Sequence, residues 1–406
     1  MHMNIDKIKE AVIEYGTPLY IYDLKIIESQ FLKLKKALRG IDNYEIYFAI
    51  KALTNVSILK FINKLGAGIE TSSIEEVMVG LKSGFKEDRI LYTPNGVSIS
   101  EIEIAEKLNV KINLDSIESV KDYSQKFGNK SISVRINPNI KAGINKNVIV
   151  GKSDSKFGII EDKINELIKL ENEKRITING LHIHTGSDIQ QNDELERGIK
   201  KIFSIAEKFK NLKKINFGGG LKVEYYDGDT KTDLDNYVRV IKNEYHNYCK
   251  KTKNKLIFLF EPGKFLVSES GVFVTKINYL KESKNKKFIQ INSGFNHLIR
   301  PTLYGSFHDI INISNIAGKK FEYDITGYIC EKDTFAEKRM IAEASIGDLI
   351  CFKNAGAYCF SMSSNYNSRV KPAEVCIYNQ KIHLIRKRET IDDILKNQID
   401  IFNKNL

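Results

Sequence analysis

The sequence predicts two domains, a (β/α)₈ barrel and, after it, a mostly antiparallel β domain. The first observation is a repeated alternation of apolar, strand-like segments with amphipathic helical segments, which runs from residue 44 to residue 260. The second is a change after Ser268, where segments become short and alternate between apolar and polar residues. The third is size, because 406 residues with 42% hydrophobic content suffice for two cores.

Two amphipathic helices are predicted before the barrel, over 4–14 and 26–38, with a strand over 19–22 between them. Eight barrel strands follow, over 44–50, 67–70, 89–93, 110–114, 131–136, 177–182, 214–217 and 256–260. Helices are predicted between them over 56–64, 73–82, 100–107, 117–126, 160–170, 191–209 and 234–248. A doubly wound open sheet is the alternative, but no G-x-G-x-x-G motif follows the first strand.

The predicted β domain has strands over 272–277, 288–291 and 349–352, and a helix over 391–402. The strand over 19–22 precedes the barrel and is expected to join this domain. We therefore place the barrel at 24–268 and build the β domain from 1–23 and 269–406. A Greek-key or barrel-like arrangement of its strands is expected.

Charge and cysteine content exclude several classes of function. The net charge is +12, yet the lysines are scattered among acidic residues, so a nucleic-acid partner is not expected. Five cysteines without a C-x-x-C pair indicate neither a disulfide framework nor a zinc site, and no metal is expected. The apolar runs are too short to span a bilayer, so no membrane partner is expected. Because the first residues also lack a secretion signal, we expect a cytoplasmic protein.

Lys51 directly follows the first predicted barrel strand. Apolar walls around such a lysine disfavour its ammonium form, and the neutral amine is the form that attacks an aldehyde. This position predicts a lysine that forms a Schiff base. A strand-end lysine that extends its charged head into solvent is the alternative.

The carboxyl ends of the strands are where side chains for chemistry gather in a (β/α)₈ barrel. Here those ends carry Lys51, Glu70, residues 92–95, Asp115, Asn137, His184, residues 218–220 and Glu261. The three consecutive glycines can close backbone N–H groups around an anion, although a tight turn alone would also use them. Ser187 is a further candidate phosphate donor. An anion cradle and a reactive amine together predict pyridoxal phosphate, which is a phosphorylated aldehyde.

Glu261 follows a strand whose end is expected to be dry, where a carboxylate needs a partner. A pyridine nitrogen is one such partner, and a protonated pyridine is a strong electron sink that suits decarboxylation. An arginine at this place would leave the pyridine neutral and suit racemisation. A nearby lysine or arginine is the structural alternative as partner of Glu261. His184 is expected to stack on the cofactor ring, with a purely structural histidine as its alternative.

Several motifs resemble the fold-type III pyridoxal-phosphate decarboxylases. These motifs are FAIKA at 48–52, LGAGIE at 65–70, SKFGI at 155–159, GLHIHTGS at 180–187, FGGGL at 217–221 and EPGK at 261–264. The motifs that resemble the diaminopimelate decarboxylases within that family are NHLIRPTLY at 296–304, AGAY at 355–358 and MSSNYNSR at 362–369. The match covers nearly the whole chain in the family's order. It implies a barrel of the alanine-racemase type.

The resemblance implies roles for the matching residues. Lys51 would carry pyridoxal phosphate as a Schiff base, Glu261 would protonate its pyridine, and His184 would stack on its ring. The remaining cofactor contacts would come from Glu70, Ser187, Gly219, Gly220, Gly263, Lys264 and Tyr358. The amino-acid substrate would be bound by Lys264, Arg300, Tyr304, Glu331 and Tyr358. Of these, Arg300 and Tyr304 would hold a carboxylate.

Cys330 and Glu331 lie in the motif GYICE at 327–331, which in this family reaches the active site of the partner subunit. The cysteine would donate a proton after decarboxylation, and the glutamate would meet the distal end of the substrate. A buried strand cysteine is the alternative for Cys330. The resemblance therefore implies a homodimer with shared active sites, to which the β domain contributes.

Four positions depart from the family pattern. Leu53 stands where the family has asparagine, and Glu70 stands where it usually has aspartate. Lys264 replaces an arginine and loses the planar, two-pronged donor set. The segment CEKDTF at 330–335 is one residue shorter than the family's loop and places Lys332 where a small residue is usual.

The implied reaction is the decarboxylation of meso-2,6-diaminopimelate to L-lysine and carbon dioxide, in lysine biosynthesis. Lys264 and Lys332 keep open the same chemistry on ornithine, arginine, carboxynorspermidine or another biosynthetic intermediate. A catalytically inactive homologue that acts as a binding partner would lack key groups, but Lys51, Glu261 and Cys330 are present. Glu261 also disfavours a racemase.

Overall fold

A computed structural model of the protein describes residues 3–140, 155–186 and 192–402. The chain divides into two units, one of Ile27–Val267 and the other of Met1–Ile26 with Ser268–Leu406. The first unit contains a closed barrel of parallel strands, and the second is built on a mixed β-sheet. The elements before the barrel strands are α1 (Ile5–Tyr15), β1 (Leu19–Asp23) and α2 (Leu24–Ala37).

Eight parallel strands form the barrel. They are β2 (Tyr44–Ala49), β3 (Gly68–Thr71), β4 (Ile90–Tyr92), β5 (Lys111–Leu114), β6 (Ser131–Ile136), β7 (Thr177–Ile183), β8 (Lys214–Asn216) and β9 (Ile257–Phe260). Neighbours in sequence are neighbours in the barrel, and β9 pairs with β2 to close the ring. The predicted (β/α)₈ barrel is therefore confirmed, and each strand end lies within one residue of its predicted position.

Most helices of the barrel unit begin at side-chain caps. They are α3 (Val56–Lys64), α4 (Ile74–Lys82), α5 (Ile99–Lys107), α6 (Ile117–Phe127), α7 (Ile164–Asn172), α8 (Asn192–Ala206), α9 (Leu234–Thr252) and α10 (Lys264–Val267). Polar residues cap five of the starts by accepting a backbone N–H: Asn55, Ser73, Ser98, Ser116 and Asp233. Helix α7 begins later than predicted because Glu161–Lys163 forms a separate 3₁₀ turn.

Alternate residues of each strand point into the barrel, which is filled rather than hollow. Tyr47, Leu91 and Leu259 pack together as an apolar plug. Where the strands begin, the Lys111 amine lies 2.6 Å from the Tyr47 hydroxyl and 3.4 Å from the Glu45 carboxylate. The ionisable groups discussed below lie at the opposite end, where the strands finish.

The second unit contains β1 and the strands that follow the barrel. These strands are β10 (Gly271–Ser283), β11 (Lys286–Ile291), β12 (Ile310–Asn312), β13 (Lys320–Thr326), β14 (Thr334–Ala342), β15 (Leu349–Phe352), β16 (Ala373–Tyr378) and β17 (Lys381–Arg386). Its short helices after the barrel are α11 (Arg300–Tyr304) and α12 (Ile391–Leu395).

The sheet of this unit has the order β14-β13-β11-β10-β1-β16-β17, with β15 pairing with both β10 and β12. Most of its strand pairs are antiparallel, which confirms the predicted, mostly antiparallel domain, while β1 pairs with β16, and β11 with β13, in parallel. Both parallel pairs join strands that are distant in sequence, which leaves room for the chain to return in the same direction. The N-terminal strand β1 thus lies in the middle of this sheet.

Helix α12 ends at Leu395, well before the predicted end at residue 402. Ile399, Ile401 and Phe402 are exposed, so burial does not support a longer helix. No helix among the described residues has the length and apolarity needed to cross a membrane.

Candidate active site

Lys51 lies in a 3₁₀ turn, Ile50–Ala52, directly after β2. Its amine is 2.5 Å from the Oε2 atom of Glu70, which lies on the neighbouring strand β3, and 3.3 Å from the Ser72 hydroxyl. The Lys51 side chain is 43% exposed, whereas that of Glu70 is 3% exposed. The amine therefore has an acidic partner and is not enclosed by apolar walls, which differs from the predicted environment.

Glu261 follows β9 and is buried. The Asn216 amide donates to its Oε1 at 2.5 Å, and Nε2 of His182 lies 3.5 Å from its Oε2. Burial by itself would raise the pKa of this carboxyl, but His182, the Lys51 charge and the Asn216 hydrogen bond together lower it below its usual value. Glu261 is therefore an ionised, buried carboxylate that interacts electrostatically with the Lys51 charge.

His184 follows β7, and its Nδ1 accepts the Gly219 N–H at 3.2 Å. Burial and the nearby charges of Arg135 and Lys51 lower the pKa of His184 to about 3. The imidazole is therefore neutral, with its proton on Nε2, and the Gly219 contact fixes the plane of the ring. A fixed aromatic plane at a strand end suits stacking on a flat ligand.

The glycines at 218–220 follow β8 and lie outside any helix or strand. Gly218 and Gly220 have φ values of +66° and +97°, a region that glycine adopts without strain. A Cβ atom on Gly218 would lie 2.5 Å from the Ile183 carbonyl oxygen, and one on Gly219 would lie 2.6 Å from that of Glu261. Because the Gly219 N–H binds His184, this amide has a protein partner in addition to its predicted role toward a phosphate. Ser187 lies outside the described residues.

Gly263 and Lys264 begin the short helix α10 beside Glu261. Gly263 is buried, and its carbonyl accepts the Leu266 N–H at 3.1 Å. Lys264 is 9% exposed, and its amine lies 6.0 Å from the centre of the Tyr225 ring. A buried ammonium here keeps the positive charge that the family's arginine supplies at this position.

Two other strand-end residues have structural partners. The Asn95 amide donates to the Asp115 carboxylate, and Asn137 donates to the Phe157 carbonyl at 3.0 Å. These contacts connect the strand ends to loop residues and give neither side chain a direct role at the amine.

Sequence reasoning missed three buried groups in the barrel, namely His182, Asn113 and Arg135. The period of two residues along a strand is the signal that finds His182, since it places His182 and His184 on the same inner face. Arg135 is 9% exposed, its guanidinium lies 4.7 Å from the Phe157 ring, and burial lowers its pKa. The charges of Glu261, Asp115 and Glu70 act in the opposite direction on that pKa.

The β-sheet unit holds the remaining predicted residues. Arg300 is buried at the start of α11 and donates to the Ser306 hydroxyl at 3.3 Å, while Tyr304 at the end of this helix is half-buried. Tyr358 adopts a φ of +57°, a left-handed backbone conformation that is uncommon for a bulky residue.

Cys330 and Glu331 are exposed on the loop that follows β13. Asn367 contacts Cys330 twice: its Oδ1 accepts the Cys330 N–H at 3.2 Å, and its Nδ2 lies 3.2 Å from the sulfur. Glu331 accepts a hydrogen bond from the Tyr366 hydroxyl. Exposure contradicts the alternative of a buried strand cysteine and leaves the thiol accessible.

The residues of the barrel fit pyridoxal phosphate. An amine that can bind an aldehyde, a buried carboxylate that can face a ring nitrogen, and a fixed imidazole plane all occur at the ends of barrel strands. The Lys51 charge contributes to lowering the pKa of both Glu261 and His184, so the three groups lie within electrostatic range of one another. Gly220 and Lys264 supply an amide turn and a cation suited to a phosphate.

Known proteins resemble this chain along almost its whole length. A diaminopimelate decarboxylase of Methanothermobacter thermautotrophicus is 34% identical over 399 residues, which cover 96% of this chain and 93% of the relative. The crystal structure of diaminopimelate decarboxylase from Helicobacter pylori complexed with L-lysine superposes with a TM-score of 0.89 at 33% identity. That superposition covers 96% of this chain and 98% of the other.

A more distant structure shares the fold alone. Lysine/ornithine decarboxylase from Vibrio vulnificus, complexed with putrescine, has a TM-score of 0.81 at 19% identity and covers 94% of this chain and 99% of the other. Residues 24–268, which hold Lys51, His184 and Glu261, match the pyridoxal binding domain of pyridoxal-dependent decarboxylases. With Lys51 and Glu261 both inside that matched region, this chain belongs to the pyridoxal-dependent decarboxylases.

Proposed function

We propose that this protein decarboxylates meso-2,6-diaminopimelate to L-lysine and carbon dioxide, and so serves lysine biosynthesis. The observation that carries the proposal is the similarity to diaminopimelate decarboxylases over 96% of the chain at 34% identity. The lysine in the similar Helicobacter pylori structure is consistent with that product.

Bound pyridoxal phosphate supplies an aldehyde that holds the substrate amine and a ring that accepts the electron pair released with carbon dioxide. Lys51 is the residue that we assign to the aldehyde. Its amine must lose a proton before it can react, and the Glu70 carboxylate at 2.5 Å is placed to accept that proton. Glu261, ionised in the barrel, would hold a proton on the ring nitrogen.

A further set of residues would orient the cofactor in the site. The His184 ring, fixed through Gly219, offers a flat surface on which the cofactor ring can stack. We assign the phosphate to the amide turn at Gly219 and Gly220, to Ser187 and to Lys264, with Gly263 and Tyr358 as further contacts.

Substrate recognition is assigned to the β-sheet unit. We assign a substrate carboxylate to Arg300 and Tyr304, with Lys264 and Tyr358 as further substrate contacts, because an arginine binds a carboxylate through two parallel donors. Cys330 would return a proton to the carbon that has lost carbon dioxide, and Glu331 would bind the far amino group. In this proposal both act in the active site of the partner subunit, so the enzyme is a homodimer. A cytoplasmic location belongs to the same proposal and accords with five free cysteines.

Another amino acid as the substrate is the second candidate. Lys332 is 83% exposed and lies 3.6 Å from Glu337, next to the Glu331 position that should recognise the far end of the substrate. A cation in this loop could favour a substrate whose far end differs from that of diaminopimelate. Ornithine and arginine are the first substrates to compare.

Carbon dioxide release from a panel of amino acids tests the proposal. Diaminopimelate should react at least tenfold faster, in kcat/KM, than ornithine, arginine or carboxynorspermidine, a difference of about 1.4 kcal/mol. The Lys51→Ala variant should lose the absorbance of the bound cofactor and nearly all activity. Equal rates on diaminopimelate and ornithine would reject the substrate assignment, and a colourless wild type would reject the enzyme assignment.

A further inference from the structure

A chain of buried polar side chains leads from Glu261 into the barrel. On the carboxylate, Asn216 donates to Oε1 at 2.5 Å and the His182 Nε2 lies 3.5 Å from Oε2. On the far side of the imidazole, the Asn113 amide nitrogen lies 2.7 Å from Nδ1 of His182 and 3.2 Å from the Thr93 hydroxyl. Each of these side chains is buried. The proposed reaction assigns no role to His182 or Asn113.

The contacts of the imidazole determine where its proton lies. Because the Asn113 amide donates to Nδ1, that nitrogen carries a lone pair, and the proton of the neutral ring is on Nε2. An N–H of the ring therefore points toward Oε2 of Glu261.

Packing alone does not explain a histidine at this place. Among the described residues, Nε2 of His182 makes no hydrogen bond, and it faces the Glu261 carboxylate at 3.5 Å. A buried N–H without a partner is costly, and an apolar side chain would fill the same space without that cost. The position is therefore explained by the carboxylate that it faces.

We propose that His182, oriented by Asn113, is the positioning residue that orients the Glu261 carboxylate toward the cofactor ring. Asn216 holds one oxygen of the carboxylate and His182 holds the other. A carboxylate with both oxygens held presents one fixed lone-pair direction to the cofactor. This inference rests on the part of the proposed function that places Glu261 at the cofactor ring, and it does not depend on which amino acid is the substrate.

Two substitutions at residue 182 separate the N–H donor from the shape of the ring. His182→Gln keeps an N–H near the position of Nε2, whereas His182→Leu removes every donor at similar size. In His182→Leu we expect kcat to fall about 10- to 100-fold, the loss typical of a hydrogen bond to a charged group, while KM changes little. His182→Gln should retain most of kcat.

Spectroscopy of the cofactor-loaded protein gives a readout that needs no substrate. The pH at which the visible absorbance band changes should shift by about one unit or more in His182→Leu and return toward the wild-type value in His182→Gln. Release of the cofactor on dialysis should also be faster in His182→Leu. These measurements keep their meaning even if diaminopimelate is not the substrate, so the two proposals can fail separately.

Asn113→Leu is the second variant, in case His182→Leu does not fold. This variant keeps the His182 imidazole but removes the Asn113 contact that orients it. The pH at which the absorbance band changes should therefore shift in the same direction as in His182→Leu, but by less. Thermal unfolding of each variant checks that the barrel is intact. The inference is overturned if His182→Leu and His182→Gln behave alike, whether both resemble the wild type or both are equally impaired.

Discussion

At the scale of single residues, Lys264 is the clearest departure of this chain from its family. The Lys264 side chain is buried, and its amine lies 6.0 Å from the centre of the Tyr225 ring. A lysine binds as a point charge, whereas an arginine grips a phosphate with two donors. We therefore expect that a positive charge at residue 264, without the two-pronged geometry of arginine, is enough to retain the cofactor.

Substitution of Lys264 tests whether charge or geometry matters here. Lys264→Met should weaken retention of pyridoxal phosphate by about tenfold or more, because a charge-assisted contact is lost. Lys264→Arg should retain the cofactor at least as well as the wild type. Both are measured by fluorescence during dilution of the loaded protein, and equal retention by Met and Arg would show that the cation does not contact the cofactor or its surroundings.

Gly218 is a second residue whose identity is restricted by its backbone conformation and its close neighbours. Gly218→Ala should lower the free energy of unfolding by more than about 1 kcal/mol, because its positive φ and its 2.5 Å approach to the Ile183 carbonyl both oppose a Cβ. Gly228→Ala is the matched control, since its φ is +85° and nothing lies within 4 Å of its Cβ position. Similar urea midpoints for the two variants would contradict the steric part of the argument.

At the scale of elements, the loop with Cys330 and Glu331 is held from both sides. The Asp333 carboxylate accepts the Ile329 N–H at 2.9 Å and the Phe295 N–H at 2.8 Å, and Asn367 contacts Cys330 itself. The loop is one residue shorter than in the family, yet its acidic anchor remains. We infer that Asp333 fixes the path of the chain that carries the thiol.

Asp333→Asn should release this loop. One carboxylate oxygen becomes an amide NH₂ that opposes a backbone N–H, so the unfolding free energy should fall by about 1–3 kcal/mol. Labelling of Cys330 by a thiol reagent should accelerate several-fold, with a Cys330→Ser protein giving the background from the other cysteines. Asp392→Asn changes an exposed acid and is the control. Unchanged labelling in Asp333→Asn would mean that the loop is held elsewhere.

At the scale of the whole molecule, buried neutral histidines make stability depend on pH. Burial lowers the pKa of His297 to about 4, and His184 has a pKa of about 3. His297 is held as a neutral ring by the Ser293 hydroxyl on Nδ1 and the Val370 carbonyl on Nε2, each at 3.0 Å. Both histidines take up a proton more readily in the unfolded chain, whose histidine pKa is about 6.5.

Stability should therefore be fully present above about pH 6.5 and decline as the pH falls toward 4. Asp333, whose pKa burial raises to about 6, acts in the opposite sense, because its protonation favours the folded state. Urea unfolding near neutral pH and near pH 5 measures the balance. The decline should be smaller in His297→Gln, which keeps a donor for Val370 without a titratable ring. An equally steep decline in that variant would remove His297 from the explanation.

Much of the fold could be predicted because barrel strands are local in sequence. The run of residues 44–50 and the period of the segments after it depend on neighbouring residues alone, and the strand ends fell within one residue of the prediction. The sheet of the second unit was harder. Its parallel pairs join Leu19 with Ala373 and Phe288 with Asp324, and no local pattern records which distant strands will meet.

The site divides in the same way. Lys51, His184 and Glu261 could be predicted because each follows a strand, and parallel strands of a closed barrel must end at one face. The Lys51–Glu70 pair, the Gly219 contact with His184 and the relay through Asn113 and His182 could not. They depend on distances between atoms on different strands, which the shear and tilt of the barrel determine.

By itself the sequence determined the order of the strands, the positions of the amine and the acid at their ends, and the family to which those motifs point. The tertiary structure decided which groups hold them: an exposed amine paired with Glu70, and a buried carboxylate held between Asn216 and His182. The physical reason is that periodicity is a property of neighbouring residues. Which charged groups pair, in contrast, depends on distances of a few ångströms between strands that lie far apart in the chain.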